Sequence, residues 1–157
     1  MTDYNKIEQA KAIIEELLKN LGVSASVEYE ESITKGLVFN IASPDSYLLI
    51  GRQGATLRAL QILAQNLATK QLKTENPFWF ILDVDDYKRK REWFLKETAK
   101  AAAEKAKLTG RGQALETMPN YDRRLVHAYL QENFPDIESY SVGDEPYRKV
   151  VIRMKRQ

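Results

Sequence analysis

The chain contains no cysteine, which excludes disulfides and thiolate metal sites. It has a single histidine, His127, and one histidine without a paired serine and aspartate signature does not make a catalytic triad. There is no P-loop and no GxGxxG motif, so no nucleotide fingerprint. The paired acids Asp85-Asp86 and Asp144-Glu145 read as a helix cap and a turn rather than as metal ligands. No apolar run is long enough to span a bilayer, and the polar, mixed-charge N-terminus shows no signal peptide. These absences lead to an expectation of no catalytic residues, no cofactor, no metal and no integral membrane segment, and they fit a cytoplasmic protein.

With 43% hydrophobic and 29% charged residues, the composition is that of a folded globular protein rather than a disordered one. A chain of 157 residues holds one medium domain or two small ones. Charge favours two. Residues 1–84 carry eight Lys/Arg against ten Asp/Glu, whereas residues 85–157 carry sixteen against twelve, so the second unit has the more basic surface.

Residues 4–21 carry apolar side chains at helical spacing (Ile7, Ala10, Ile13, Ile14, Leu17, Leu18, Leu21), and Gly22 is placed to stop the helix. The period then changes to two over Ala25–Glu30 and Leu37–Ile41, predicting a hairpin that turns near Thr34-Lys35-Gly36. Ser43-Pro44-Asp45 starts a short helical turn through Tyr47, Leu48 and Leu49. Then comes Ile50-Gly51-Arg52-Gln53-Gly54, two glycines flanking two polar residues just where a helix should begin. A helix N-terminus presents unpaired N–H groups, and glycine lacks the Cβ that would keep a phosphate away. The helix over about 55–72 is expected to start on a Thr56 cap and to bury Leu57, Leu60, Leu63, Ala64, Leu67 and Ala68. Asn76-Pro77 breaks the chain before a β-prone run, Phe78–Val84.

Residues 85–109 predict a helix capped by Asp85-Asp86, its first turns carrying Lys88-Arg89-Lys90-Arg91. Four consecutive cations wrap around a helix and do not share one face. Gln113–Glu116 is a strand candidate, and Pro119 suits the first turn of a helix over 119–133. In that helix Arg123 and His127, four residues apart, lie on nearly one face. Tyr121, Leu125, Val126, Tyr129 and Leu130 are expected to face a core, leaving Arg123, Arg124, His127 and Gln131 as a polar stripe. Ile137–Val142 and Tyr147–Met154 predict strands joined by Gly143-Asp144-Glu145-Pro146.

The order helix, two strands, short helix, glycine loop, helix, strand, with Gly51-Arg52-Gln53-Gly54 between the second and third helices, resembles a type II KH domain. In KH domains this loop grips the sugar-phosphate backbone of single-stranded nucleic acid and an adjacent apolar groove receives the bases. The resemblance implies that Gly51 and Gly54 allow close approach and that Arg52, Gln53 and Arg58 supply polar groups. It also implies that Ile41, Leu49, Ile50 and Leu57 line the groove. Many KH relatives carry a second basic residue where this chain has Gln53. Thr117–His127, followed by Tyr140–Ile152, resembles the arginine-three-histidine (RxxxH) domain, a small single-stranded nucleic-acid binder. By that resemblance Arg123, Arg124, His127, Arg148 and Lys149 are candidate contacts.

KH followed by RxxxH is the order of the bacterial Jag family, also called SpoIIIJ-associated, KhpB or EloR proteins. The expected fold class is α+β: a type II KH domain (αββααβ) over 1–84, then a small α+β RxxxH domain with a three-stranded antiparallel sheet over 85–157. Many members place an N-terminal Jag domain before the KH unit. Here the first helix starts almost at Met1, so that domain is expected to be missing and its functions are not carried over. The implied function is single-stranded RNA binding without chemistry, in the manner of a post-transcriptional regulator or RNA chaperone of cell elongation and division. Single-stranded DNA is an alternative ligand. A further alternative is a protein adaptor for a KH-only partner (KhpA-like) and cell-envelope machinery.

Overall fold

The computed structural model describes residues 3–156. Their contacts divide the chain into two compact units that meet between Lys88 and Arg89. The first unit runs α1 (Tyr4–Asn20), β1 (Ser26–Ser32), β2 (Gly36–Ala42), α2 (Ser46–Ile50), a short 3₁₀ turn (Arg52–Gly54), α3 (Ala55–Gln71) and β3 (Ile81–Val84). β1 and β2 pair antiparallel, with Tyr29 opposite Phe39; β2 and β3 pair parallel, with Phe39 opposite Leu82. Helices α1 and α3 supply Ile7, Ile14, Leu57 and Leu60 to one core with Val27, Phe39, Ile41 and Leu82 from the sheet. Phe39 and Phe80 meet edge-on, centroids 5.0 Å apart, at the centre of that core.

Three local expectations change. The ladder of β3 begins at Ile81, not Phe78. The amide of Phe78 donates to Thr69 Oγ1 at 2.9 Å and the Phe80 carbonyl accepts from Gln65 Nε2 at 2.7 Å, so α3 side chains satisfy this backbone instead of a neighbouring strand. Thr56 does not cap α3. That helix starts from Gly54 in a left-handed conformation (φ 76°) with no side-chain cap. Leu63 is 45% exposed and stands with Ile62 outside the core.

The second unit contains most of α4 (Tyr87–Thr109), then β4 (Gln113–Thr117), α5 (Asn120–Asn133), β5 (Ile137–Val142) and β6 (Lys149–Met154). Its sheet is ordered β4-β6-β5 and is antiparallel throughout. Leu95, Ala99, Ala103 and Ala106 form the buried stripe of α4. Alanine at three of those four positions lets the helix lie close on Val126 and Leu130 of α5 and Val150 and Ile152 of β6. At the start of α4, Asp85 and Asp86 hold positive φ (47° and 59°), not the extended geometry of an N-cap. The carboxylate of Asp83 accepts the Lys88 amide, at 3.3 Å. No helix among the described residues is long and apolar enough to cross a membrane.

Candidate functional site

The glycine loop of the first unit is shaped from within. Gly51 has φ 68°, and a Cβ there would lie 2.1 Å from Thr56 Oγ1. Gly54 has φ 76°, and a Cβ there would lie 2.7 Å from the Tyr87 ring. Both glycines are therefore required by the chain's own packing as well as by backbone angle. Between them Gln53 adopts left-handed angles, φ 52° and ψ 32°, an uncommon conformation for a residue with a Cβ. Such strain concentrates at functional loops.

Three amides of this stretch turn inward. Gly51 donates to the Tyr47 carbonyl at 3.0 Å and Gly54 to the Gly51 carbonyl at 3.4 Å, while Ala55 donates to the Arg52 carbonyl. Two basic side chains stand at the loop. Arg52 is exposed. Arg58, also exposed, lays its guanidinium back over the loop and donates to the Gln53 carbonyl at 2.8 Å. One donor of the fork holds the loop; the guanidinium keeps its full charge there. The expected base groove is different. Ile41, Leu49 and Leu57 are 1–3% exposed and belong to the core; Ile50 is half-buried. The apolar side chains that do face solvent on α2 are Tyr47 (68%) and Leu48 (54%).

Tyr87 and Asp83 were not legible as part of this region. Gln61 Oε1 accepts from the Leu82 amide at 3.1 Å and from Lys88 Nζ at 2.9 Å, tying α3 to the start of α4. Burial raises the Asp83 carboxyl above its usual range, against the amides of Val84 and Lys88, which lower it.

In the second unit the polar stripe on α5 divides. Arg123 is buried, 5% exposed. It donates to the Met118 carbonyl at 2.7 Å and to the Glu145 carboxylate. Its neighbour Asp122 is also buried, receiving both Nε and a terminal nitrogen of Arg91, at 3.1 and 2.8 Å. Tyr121, expected inside, is 70% exposed. Two charged residues, Asp122 and Arg123, thus share the buried side of α5 with Val126 and Leu130, while Tyr121 lies outside it. Arg124 is exposed, as is Lys149, while Arg148 is half-buried. Arg148 donates to the Gly143 carbonyl at 2.6 Å, so it braces the hairpin loop.

His127 stands one turn from Arg123 and is half-buried. Its Nδ1 lies 2.7 Å from Ser139 Oγ and its Nε2 2.9 Å from Ser141 Oγ. A neutral ring donates from one nitrogen and accepts at the other, and serine hydroxyls serve either role. Burial, and after it the charge of Arg123, lowers the imidazole pKa below its ordinary 6.5. Beside it opens a pocket of about 450 Å³ whose walls include His127, Gln131, Phe134, Tyr140 and Lys155. Among the described residues no group of three or more His, Cys, Asp or Glu is placed to hold a metal ion.

A model of the KhpA/KhpB KH domain matches residues 10–76, and a model of the arginine-three-histidine domain matches residues 94–154. A Bacillus subtilis (strain 168) protein named RNA-binding protein KhpB is 30% identical over 154 residues, 96% of this chain and 71% of that protein. The chain belongs to the KhpB family. Proteins of the same name from Clostridium symbiosum and Lactiplantibacillus plantarum are 38% and 33% identical over 138 and 140 residues. These alignments take in 88% and 89% of this chain, which spans 60% and 42% of the two relatives' lengths. The α+β architecture of this KhpB-family chain, with one three-stranded sheet in each unit, agrees with a KH domain followed by an arginine-three-histidine domain.

Proposed function

We propose that this chain binds single-stranded RNA, without chemistry, through the Gly51–Gly54 loop of its first unit and, in its second, through Arg124 and His127 of α5 and separately through Lys149 of β6. The expected division into 1–84 and 85–157 is kept in the same proposal as a KH and an arginine-three-histidine domain, with the contact boundary four residues later, after Lys88. The observation that carries the reading is the loop. A left-handed turn locked by Thr56 and Tyr87 presents exposed Arg52 beside the Arg58 guanidinium, the chemistry that receives a phosphodiester. The relatives' name, RNA-binding protein KhpB, supports RNA over DNA. Two modest sites on one chain strengthen each other, since binding at one raises the effective concentration at the other. A cytoplasmic location accords with this ligand.

Replacing Arg52 and Gln53 together by Asp tests the proposal. The expected result is loss of most affinity for a labelled single-stranded RNA in a gel-shift assay with an unchanged circular dichroism spectrum. Unaltered affinity in the folded variant overturns the loop's role.

A second reading, pairing with a KH-only protein, is favoured by one observation: Ile62 (60% exposed) and Leu63 (45%) stand side by side on the outer surface of α3. Ile62→Glu should abolish such pairing in a two-protein pull-down and leave RNA affinity unchanged.

A further inference from the structure

The sheet of the second unit is covered on one face only. Ile137, Val150 and Ile152 point to α4 and α5 within the core, and the two serines of β5 reach His127 on the same side. Strand alternation sends the intervening residues to the opposite face. The register aligns them in rows across the sheet: Glu138 beside Arg153, Tyr140 beside Val151, and Val142 beside Lys149. Among the described residues of this unit, neither helix contributes to that face.

The composition of this open face is specific. Its centre is aromatic and aliphatic, with Tyr140 39% exposed next to half-buried Val151. A cation stands on either side along β6. The Arg153 guanidinium lies 5.1 Å from the Tyr140 ring centroid and is held in place by the Glu138 carboxylate. Lys149 is exposed and, among the described residues, makes no ion pair. Four residues apart on one strand, these two charges stand about 13 Å from each other. Of the acids on or beside these strands, Glu138 is engaged by Arg153 and Glu145 by Arg123, while Asp144 in the β5–β6 loop and Glu116 at the β4 irregularity between Ala114 and Thr117 are exposed.

We propose that this outer sheet face is a further single-stranded RNA contact of the chain, on which one base stacks against Tyr140 and Arg153 while the adjoining phosphates lie along Lys149 and Arg153. The proposal rests on the RNA reading above. An aromatic ring accepts any base because every base has a π-face, and the guanidinium lying over that ring adds a planar cation to the stack. The charge pattern selects a polyanion. A protein interface of this size would place its cations at the rim of a larger apolar centre than one tyrosine and two half-buried valines supply. Tyr140 also borders the His127 pocket, so a strand crossing the sheet reaches that pocket at the edge of β5.

The test uses the full chain and a labelled, unstructured oligouridylate. Tyr140→Ala should weaken binding about 5- to 160-fold, the range for loss of one stacked base, and Tyr140→Phe should recover most of that loss. With 4-thiouridine in the oligonucleotide, ultraviolet crosslinks should map to the β5–β6 peptides by mass spectrometry. Should Tyr140→Ala unfold, Arg153→Gln, a surface change outside the residues of the RNA reading above, decides the matter by the same affinity measurement. Full affinity in folded Tyr140→Ala, while the loop double-Asp variant still loses binding, overturns the sheet-face contact and leaves the RNA reading standing. A wild-type chain that fails to bind the oligonucleotide overturns both. If Tyr140→Ala instead dissociates a dimer in sedimentation with RNA affinity intact, the face belongs to a second copy and the proposal is overturned.

Discussion

The Arg123 guanidinium bridges the Met118 carbonyl at the start of α5 and the Glu145 carboxylate in the β5–β6 loop. Arg123 is 6% exposed in its side chain and Glu145 57%, so the two ends of this bond differ greatly in what they lose when broken. Arg123→Met strands a buried carbonyl and removes a charged hydrogen bond, and it should destabilise the second unit by about 2–3 kcal/mol. Glu145→Gln leaves the arginine near solvent on that side and should cost within about 1 kcal/mol. Urea unfolding of the two variants measures the difference.

The same burial lets salt separate buried Arg123 from exposed Arg52 in the proposed RNA contact. Single-strand binding should weaken with salt by a log–log slope of roughly −0.7 per phosphate contact. Arg52→Ala is expected to flatten the slope by about that amount. Arg123→Met, studied where it remains folded, should leave the slope unchanged. Anisotropy titrations across a salt series report both.

Gly54→Ala should destabilise the first unit. The left-handed backbone alone costs a Cβ-bearing residue about 1–2 kcal/mol, and the Tyr87 ring stands 2.7 Å from the new atom. Removing the ring relieves only the second contribution. The double variant Gly54→Ala/Tyr87→Ala should therefore cost less than its single changes summed, a coupling that a double-mutant cycle in urea reads directly.

His127 makes stability depend on pH. Its folded-state value is lowered, first by burial and then by Arg123, so the folded protein binds this proton less readily than the unfolded chain. The contribution is complete above the ordinary value of 6.5 and is lost as pH falls through the lower, folded value. His127→Gln does not titrate and should flatten this part of the profile. Urea midpoints at about pH 7.5 and about pH 5 compare the two proteins.

What the sequence disclosed was local. The apolar repeat from Ile7 to Leu18 placed α1, and alternation around Phe39 placed the hairpin, because helix and strand periods are written in consecutive residues. Sorting of α5 required distant partners. Asp122 meets Arg91 across 31 residues and Arg123 meets Glu145 across 22. Nothing in the α5 sequence says that these two charges are paired and inward while Tyr121 is outward. The loop glycines were conspicuous, yet the reasons for them lie in Thr56 and Tyr87, one nearby and one beyond a whole strand. Ile41, Leu49 and Leu57 looked available for bases because apolarity alone does not distinguish a groove from a core.

Tyr87 has a practical consequence for anyone dissecting the molecule. Its ring closes the flank of Gly54, and Lys88 ties the same end to Gln61, three and four residues beyond the end of β3 at Val84. A fragment truncated at the last strand would retain the glycine signature yet lose the side chain against which that signature is moulded. An expression boundary for the isolated first unit therefore belongs after Lys88, and a library that randomises the glycine loop should vary Tyr87 with it.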